Sequence, residues 1–284
     1  MVEYARHRDD NGIPINISQS HIEMNKIALI TGASSGIGME LAKIHAERGG
    51  DLIIVARRAQ KLIDLKNELE SKHKVSVTTI VKDLSVPGAA KEVFDEVRAS
   101  GAQVDFLINN AGFGLRGKFH ELDWSRQQQM MNLNMIALTE LMHLFLPEMV
   151  GRNSGRILNN SSTASFVPGP LQAVYFATKS YVQSLTNAVA EELHDTSVTV
   201  TNLMPGATET EFAKTADLEN TILFQKTVGA RMVAEDGYNA MMKGKLDVIS
   251  GLTFSQKLMM FMMPVTPKKI LLNQMRKMQE LKGE

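Results

Sequence analysis

The sequence predicts an α/β protein built on a doubly wound parallel sheet of about seven strands, with a C-terminal helical extension. Two observations predict this fold. Short apolar runs without polar alternation are typical of strands buried on both faces of a parallel sheet. Most of these runs are followed by a longer stretch with helical periodicity, and alternation of strands and helices is typical of a doubly wound sheet.

The strands and helices follow in order along the chain. The predicted strands are residues 26–31, 51–56, 75–81, 106–108, 155–160, 197–204 and 246–249. The predicted helices are residues 39–48, 61–72, 89–99, 124–149, 171–194 and 233–243. Residues 209–230 are polar and poorly periodic, which predicts a mobile loop or short helices.

Composition narrows the classes of function. The chain has 284 residues, a formal net charge of zero and no cysteine. A zero net charge gives no bias toward polyanions, so we expect no nucleic-acid partner. The absence of cysteine excludes disulfides, thiol catalysis and thiolate metal sites. No apolar run approaches the roughly 18 residues of a membrane span. Residues 1–23 form a polar N-terminal extension without the apolar region of a signal peptide.

A glycine-rich loop follows the first predicted strand. Thr31 is followed by glycines at positions 32, 36 and 38, and a helix begins directly after them. Such glycines let the backbone turn sharply and approach a diphosphate, which the N-terminus of the helix attracts. The loop predicts a dinucleotide site, and a tight turn without a ligand is the alternative.

The second predicted strand ends in two basic residues, Arg57 and Arg58. A carboxylate at this place would hydrogen-bond a ribose 2′-hydroxyl, whereas a guanidinium suits a 2′-phosphate. We therefore expect NADP(H) rather than NAD as the cofactor. The alternative is a pair of arginines that only faces solvent.

Tyr175 and Lys179 lie four residues apart in a predicted helix and so share one face. A nearby ammonium lowers the pKa of a phenol. A tyrosine tuned in this way exchanges a proton with a carbonyl oxygen as hydride arrives. The pattern alone also fits a surface tyrosine beside a solvated lysine.

Taken together, the motifs resemble the short-chain dehydrogenase/reductase family, a single-domain Rossmann type. The motifs are Thr31-Gly32-x-x-x-Gly36-x-Gly38, Asn109-Asn110-Ala111-Gly112, Asn134, Ser162, Tyr175-x-x-x-Lys179 and Pro205-Gly206-x-x-x-Thr210. Their order and spacing carry the resemblance, which places a domain of this family at residues 24–253. The family needs no metal, and none of the seven histidines has a ligand spacing.

The resemblance implies a role for each matching position. Tyr175 would be the acid/base, Lys179 would lower its pKa and hold the nicotinamide ribose, and Ser162 would hydrogen-bond the substrate oxygen. Asn134 would anchor a water that links Lys179 to solvent. The other implied cofactor contacts are Gly32, Ser34, Ser35, Gly36, Ile37 and Gly38 at the diphosphate, Asp83 and Leu84 at adenine, Asn110, Ala111 and Gly112 at the adenosine ribose, and Pro205, Gly206, Thr208 and Thr210 at the nicotinamide end.

One position departs from the family pattern. NADP-binding members often carry a basic residue just before the second motif glycine, where this chain has Ser35. Recognition of the 2′-phosphate would therefore depend on Arg57 mainly and on Arg58 secondarily.

The resemblance implies an NADP(H)-dependent oxidoreductase that interconverts a carbonyl and a secondary alcohol. We expect a small apolar substrate, such as a 3-oxoacyl, steroid or similar ketone, a homodimer or homotetramer, and a cytoplasmic location. The alternatives are a catalytically silent nucleotide-binding protein and a membrane-associated scaffold with the same fold. An intact tyrosine and lysine disfavour the silent protein.

Residues 254–284 form a basic, methionine-rich extension. Leu271, Met275 and Met278 follow helical spacing, which predicts a helix over residues 268–282. Three roles stay open: a cover over the substrate pocket, packing on a partner subunit, or peripheral contact with a membrane surface.

Overall fold

The fold is centred on a seven-stranded parallel sheet. The computed structural model describes residues 26–253, 256, 260 and 266–281, so the predicted extension at 1–23 lies outside the described residues. The sheet strands are β1 (Ile27–Thr31), β2 (Asp51–Ala56), β3 (Val77–Val81), β4 (Val104–Asn109), β5 (Arg156–Asn160), β6 (Thr199–Pro205) and β9 (Asp247–Ser250). Their order across the sheet is β3-β2-β1-β4-β5-β6-β9. All seven predicted strands are confirmed.

Helices cover both faces of the sheet. They are α1 (Gly36–Glu47), α2 (Ala59–His73), α3 (Ala89–Ala99), α4 (Trp124–Met131), α5 (Leu138–Gly151), α6 (Ala173–Glu192), α7 (Phe212–Thr215), α8 (Ala230–Met242) and α9 (Lys268–Gln279). On β1, Ala28 and Ile30 pack with α1, α2 and α8. Leu29 packs with α3, α5 and α6 on the other face. Because successive side chains of a strand point to opposite faces, burial of both faces explains the continuous apolar runs.

The strand order reverses between β1 and β4, because β2 and β3 lie on one side of β1 and β4 to β6 lie on the other. In an open parallel sheet, such a reversal leaves a crevice at the carboxyl ends of the strands, where ligands bind. The loops that follow β1, β4, β5 and β6 carry the glycine-rich motif, the Asn110-Ala111-Gly112 turn, Ser162 and the turn at Gly206, whereas Tyr175 and Lys179 lie on α6.

Two predicted elements differ in detail. The long predicted helix at 124–149 is α4 and α5 joined by a π-helical turn at Asn132–Ala137. Residues 209–230 contain α7, a 3-10 turn at Ile222–Phe224, and the paired two-residue strands β7 (Thr208–Glu209) and β8 (Val228–Gly229). This segment is thus a set of short elements, one of the two alternatives predicted.

One described helical stretch, Trp124–Gly151, reaches the length and mean hydropathy (1.2) expected of a membrane span, and 39% of that apolar window is buried. Leu141, Met142 and Phe145 of this stretch belong to the core beneath the sheet. A core helix of a globular fold explains the same composition.

Candidate active site

The carboxyl edge of the sheet opens into a cavity of about 410 Å³, a size typical of small-molecule sites. The structure brings most of the predicted site residues to its wall. From the catalytic set these are Ser162, Tyr175 and Lys179, and from the cofactor set Gly32, Ser34, Ser35, Gly36, Ile37, Arg57, Arg58, Asp83, Leu84, Asn110, Ala111, Gly112, Pro205, Gly206, Thr208 and Thr210. Gly38 and Asn134 lie behind this wall and support it.

The glycine loop fits tightly against the turn after β4. A Cβ at Gly38 would lie 2.3 Å from Asn110 Nδ2 and 2.5 Å from the carbonyl oxygen of Gly32, so only glycine fits there. Gly32 has a φ of +68°, which favours glycine. Asn110 Nδ2 donates to the Thr31 carbonyl at 3.0 Å, and Thr31 Oγ1 accepts from the backbone N–H groups of Asn110 and Ala111. Thr31 therefore positions both loops, a role that its place in the motif could have suggested.

Tyr175 and Lys179 lie on the inner face of α6 and are 8% and 5% exposed. Lys179 Nζ donates to the backbone carbonyl of Asn160 at 2.7 Å. Ser162 lines the cavity beside Tyr175, and its hydroxyl accepts from the backbone N–H of Ala164 at 3.1 Å and lies 3.5 Å from the Pro205 carbonyl. The end of β5 thus places a residue beside each of the two α6 residues. Asn160 was not predicted, because a backbone carbonyl leaves no residue-type signal in the sequence.

The pKa values of this pair are shifted by burial. Burial raises the pKa of Tyr175 to about 12, although the neighbouring Ser162 hydroxyl acts to lower it. Burial also lowers the pKa of Lys179 to about 8. Lys179 Nζ lies 5.8 Å from the centre of the tyrosine ring. Desolvation dominates both values, and Lys179 is not among the causes of the Tyr175 shift, so its lowering of the phenol pKa stays a prediction.

Asn134 is held inside the π-helical turn and is 1% exposed. Its Oδ1 accepts from the backbone N–H of Phe113 at 3.1 Å, and its Nδ2 donates to the carbonyl of Phe113 at 3.0 Å and to Thr178 Oγ1 at 3.1 Å. An ideal Cβ at Gly112 would lie 3.1 Å from Asn134 Oδ1 and 3.5 Å from Lys179 Nζ. Asn134 therefore fixes the turn after β4, and its predicted role as a water anchor stays a prediction.

Arg57 and Arg58 differ in their surroundings. The guanidinium of Arg57 is 3.7 Å from the Asp83 carboxylate, and its side chain is 59% exposed at the mouth of the cavity. Arg58 donates to the hydroxyls of Ser34 and Ser35 and forms a 2.7 Å ion pair with Glu211. Arg57 is therefore open to a ligand, whereas Arg58 joins the glycine loop to the segment after β7.

The predicted nicotinamide end lies where β6 meets the glycine loop. Thr208 Oγ1 donates to the Gly206 carbonyl at 3.0 Å. An ideal Cβ at Gly36 would lie 2.9 Å from Thr210 Cγ2. The Pro205-Gly206 turn and the glycine loop thus close the same part of the crevice from opposite sides.

Beyond Tyr175 the cavity wall is largely apolar. The ring of Phe212 lies 5.3 Å from the tyrosine ring. The other apolar side chains of this part are Phe113, Val167, Phe176, Leu218, Leu223, Phe224, Met260, Met275 and Met278. Met275 is 7% exposed and belongs to one apolar cluster with Tyr175. The C-terminal helix α9 therefore covers the pocket, the first of the three roles that the sequence left open.

Two buried glutamines in this wall, Gln172 and Gln279, were not predicted. Gln172 directly precedes α6, and Gln279 ends α9. The place of Gln172 three residues before Tyr175 could have suggested a site residue, whereas nothing near Gln279 gives such a signal. Within residues 26–253 and α9, no three His, Asp or Glu side chains are grouped to hold a metal ion.

A family model described as short chain dehydrogenase matches residues 26–221. This range contains the sheet from β1 to β6 and all four predicted catalytic residues. The chain belongs to the short-chain dehydrogenase family. The predicted family, fold and class of enzyme are thereby confirmed: the protein is an oxidoreductase that acts on carbonyl or alcohol groups.

Relatives within the short-chain dehydrogenase family differ in substrate. Sulfoacetaldehyde reductase 2 of Chromohalobacter salexigens is 36% identical over 191 residues, which are 66% of this chain and 75% of that protein. Human very-long-chain 3-oxoacyl-CoA reductase is 31% identical over 193 residues, which are 66% of this chain and 61% of that protein. A solved short-chain dehydrogenase from Sphingobium yanoikuyae, in complex with NADPH, superposes with a TM-score of 0.75 at 28% identity over 91% of this chain and 100% of that chain. That complex agrees with the prediction of NADP(H) as the cofactor.

Proposed function

We propose that this short-chain dehydrogenase is an NADP(H)-dependent enzyme that interconverts a carbonyl and a secondary alcohol on an apolar substrate. One observation carries the proposal. The Tyr175 phenol, with Ser162 beside it, lies where the glycine-loop crevice meets the apolar pocket. A phenol at this junction can donate a proton to a substrate carbonyl that enters from the apolar pocket.

The crevice has the features that a dinucleotide phosphate requires. Asn110 packs so closely on the glycine loop that no Cβ fits at Gly38. The loop backbone therefore carries no side chain at this position, which suits the close approach of a diphosphate. Arg57 stands at the open end of the crevice with more than half of its side chain exposed. A guanidinium there suits a 2′-phosphate. The nicotinamide of the bound cofactor would supply or accept the hydride.

Side chains of this protein would donate the proton and stabilise the charge that develops. Since the pKa of Tyr175 is about 12, the phenol keeps its proton at neutral pH and can act as an acid in carbonyl reduction. The Ser162 hydroxyl can donate to the same substrate oxygen, which stabilises the charge that develops there. Lys179, fixed by the Asn160 carbonyl, would hold the ribose and favour the phenolate that remains after proton transfer.

The lining supports an apolar ketone as substrate, of a 3-oxoacyl, steroid or similar kind. Phenylalanine and methionine side chains form most of the wall beyond Tyr175. Methionines adapt to varied apolar shapes. One relative is named for reduction of very-long-chain 3-oxoacyl-CoA, which agrees with this class.

Assembly and location remain proposals of the same kind. A homodimer or homotetramer and a cytoplasmic location are expected of the family. Lys268, Lys269, Arg276 and Lys277 are exposed on α9. These basic residues support peripheral contact with an anionic membrane surface.

Replacement of the phenol tests the proposal. In Tyr175→Phe we expect turnover to fall by at least about 100-fold, the scale of general acid catalysis, because the ring stays and the proton donor is lost. NADPH affinity should stay within a few-fold. NADPH oxidation with an activated ketone and calorimetric titration of NADPH measure the two effects. Turnover near the wild-type value in Tyr175→Phe would exclude this mechanism, whereas a wild type that reduces no ketone would favour a silent nucleotide-binding protein or scaffold.

A further inference from the structure

Gln172 and Gln279 form a buried polar pair in the otherwise apolar part of the pocket. Each side chain is 1% exposed. Gln172 Nε2 donates to Gln279 Oε1 at 2.5 Å. The pair joins the residue that precedes the catalytic helix α6 to the last residue of α9, so it also helps to hold α9 over the pocket.

Each amide keeps one buried end without a partner among the described residues. Gln172 Oε1 lacks a donor, and Gln279 Nε2 lacks an acceptor. Rotation of both amides by 180° would exchange these ends and preserve the bond between them, so the pair always presents one donor and one acceptor. A buried polar atom without a partner costs about 1–3 kcal/mol, so such a pair is expected to serve a ligand.

Both glutamines line the same cavity as Tyr175. An ideal Cβ at Gly114 would lie 3.3 Å from Gln172 Oε1 and 2.8 Å from the Phe212 ring, which places this oxygen beside the aromatic wall. Gln172 precedes Tyr175 by three residues, a rise of about 4.5 Å along a helix. Gln172 therefore lies within about one helical turn of Tyr175, and both glutamines line the cavity into which Tyr175 faces.

We propose that Gln172 and Gln279 determine substrate specificity by binding a second polar group of an apolar ketone. That group both donates and accepts a hydrogen bond, as a secondary amide or a hydroxyl does. Its acceptor would take the free N–H of Gln279, and its donor would bind Gln172 Oε1. A ketone without such a group leaves both amide ends unpaired. This inference rests on the proposed function.

The test compares two probes of equal length. The first is a 3-oxo-N-alkylamide, and the second is the ketone in which methylene groups replace the amide. The ratio of kcat/KM for the two probes is measured with NADPH in the wild type and in Gln172→Leu/Gln279→Leu. Removal of both amides leaves no unpaired partner, so the plain ketone should still be reduced. We expect the preference for the amide to fall by about 10- to 100-fold, which corresponds to the loss of one or two buried hydrogen bonds.

Gln274→Leu is the matched control, because Gln274 lies on the exposed face of the same helix. It should keep the wild-type ratio. An equal ratio in the wild type and the double variant, or a wild type that prefers the plain ketone, would overturn the inference.

Calorimetry of both probes on the wild-type NADP⁺ complex gives a second test that needs neither turnover nor a folded variant. Tighter binding of the amide by about tenfold or more supports the pair, and equal binding overturns it. If neither probe is reduced, the proposed function fails, and this titration still decides whether the pair binds an amide.

Discussion

At the scale of single residues, burial of the site also shifts the pKa values of its side chains. Tyr175 and Lys179 share one helix face, as their spacing predicts, yet burial shifts both pKa values against the charged form. The residues at the mouth of the crevice differ from this pair because they are exposed. Arg57 is only weakly paired there, whereas Arg58 is bound to the serines of the glycine loop and to Glu211.

The two arginines should therefore respond differently to substitution. Arg57→Asp should weaken NADPH binding by about 10- to 100-fold, because a charge-assisted contact is lost, and should leave NADH binding within a few-fold. Arg58→Ala should weaken both cofactors to a similar degree, because it loosens the loop that both use. Calorimetric titrations of NADPH and NADH into both variants measure this. Tighter NADH than NADPH binding in the wild type would show that the basic pair does not select the phosphate.

At the scale of elements, α9 completes the substrate pocket and leaves the nucleotide crevice untouched. Its Met275 packs with Phe113 and Phe176 in one cluster. Next to α9, Leu281 forms an antiparallel bridge with Thr221, in the segment between β7 and β8. The motifs that line the crevice all lie upstream, between β1 and α7.

Removal of residues 266–284 should thus affect the two ends of the site unequally. We expect NADPH affinity to change by no more than a few-fold. The kcat/KM for a long apolar ketone should fall at least about tenfold more than that for a small activated ketone, because the long chain loses its buried contact with α9. Charge reversal at Lys268 and Lys277, which are exposed, should leave this ratio unchanged. If the truncated enzyme keeps the wild-type ratio of kcat/KM for the long and the small ketone, α9 does not form part of the substrate site.

At the scale of the whole molecule, a buried polar contact joins α1 and the residue before β1 to α8. His45 on α1 is fully buried, its Nδ1 lies 2.7 Å from the hydroxyl of Tyr238 on α8, and its Nε2 lies 3.1 Å from the Lys26 carbonyl. Burial lowers the pKa of His45 to about 4. Between pH 6.5 and 4 the unfolded chain binds this proton and the folded chain does not, so the free energy of unfolding falls as the pH falls.

We expect a contribution from His45 that is complete above pH 6.5 and is reduced by about 2 kcal/mol at pH 5. In His45→Gln, which keeps a donor and an acceptor but cannot titrate, the difference in free energy of unfolding between pH 7 and pH 5 should shrink by about that amount. Urea denaturation of both proteins at the two pH values measures this. Equal differences in the two proteins would mean that His45 does not titrate during unfolding.

The sequence by itself determined the fold class, the seven strands and the family. The apolar runs lack the alternation of apolar and polar residues that a sheet with one solvent-exposed face requires. They therefore indicate strands buried on both faces, which is typical of a parallel sheet. The predicted site residues that line the cavity come together because the carboxyl ends of parallel strands lie at one edge of the sheet. Residues as distant as Gly32 and Tyr175, which the family resemblance implies for one site, thus line one cavity.

Only the tertiary structure decided the features that depend on contacts distant in sequence. The pKa of Tyr175 follows from burial, which the spacing to Lys179 does not reveal. The unequal roles of Arg57 and Arg58 follow from Glu211, more than 150 residues downstream. The pairing of Gln172 with Gln279 joins positions 107 residues apart. Local pattern determines which element forms and which face it buries, but a contact across such a separation exists only once the elements have packed.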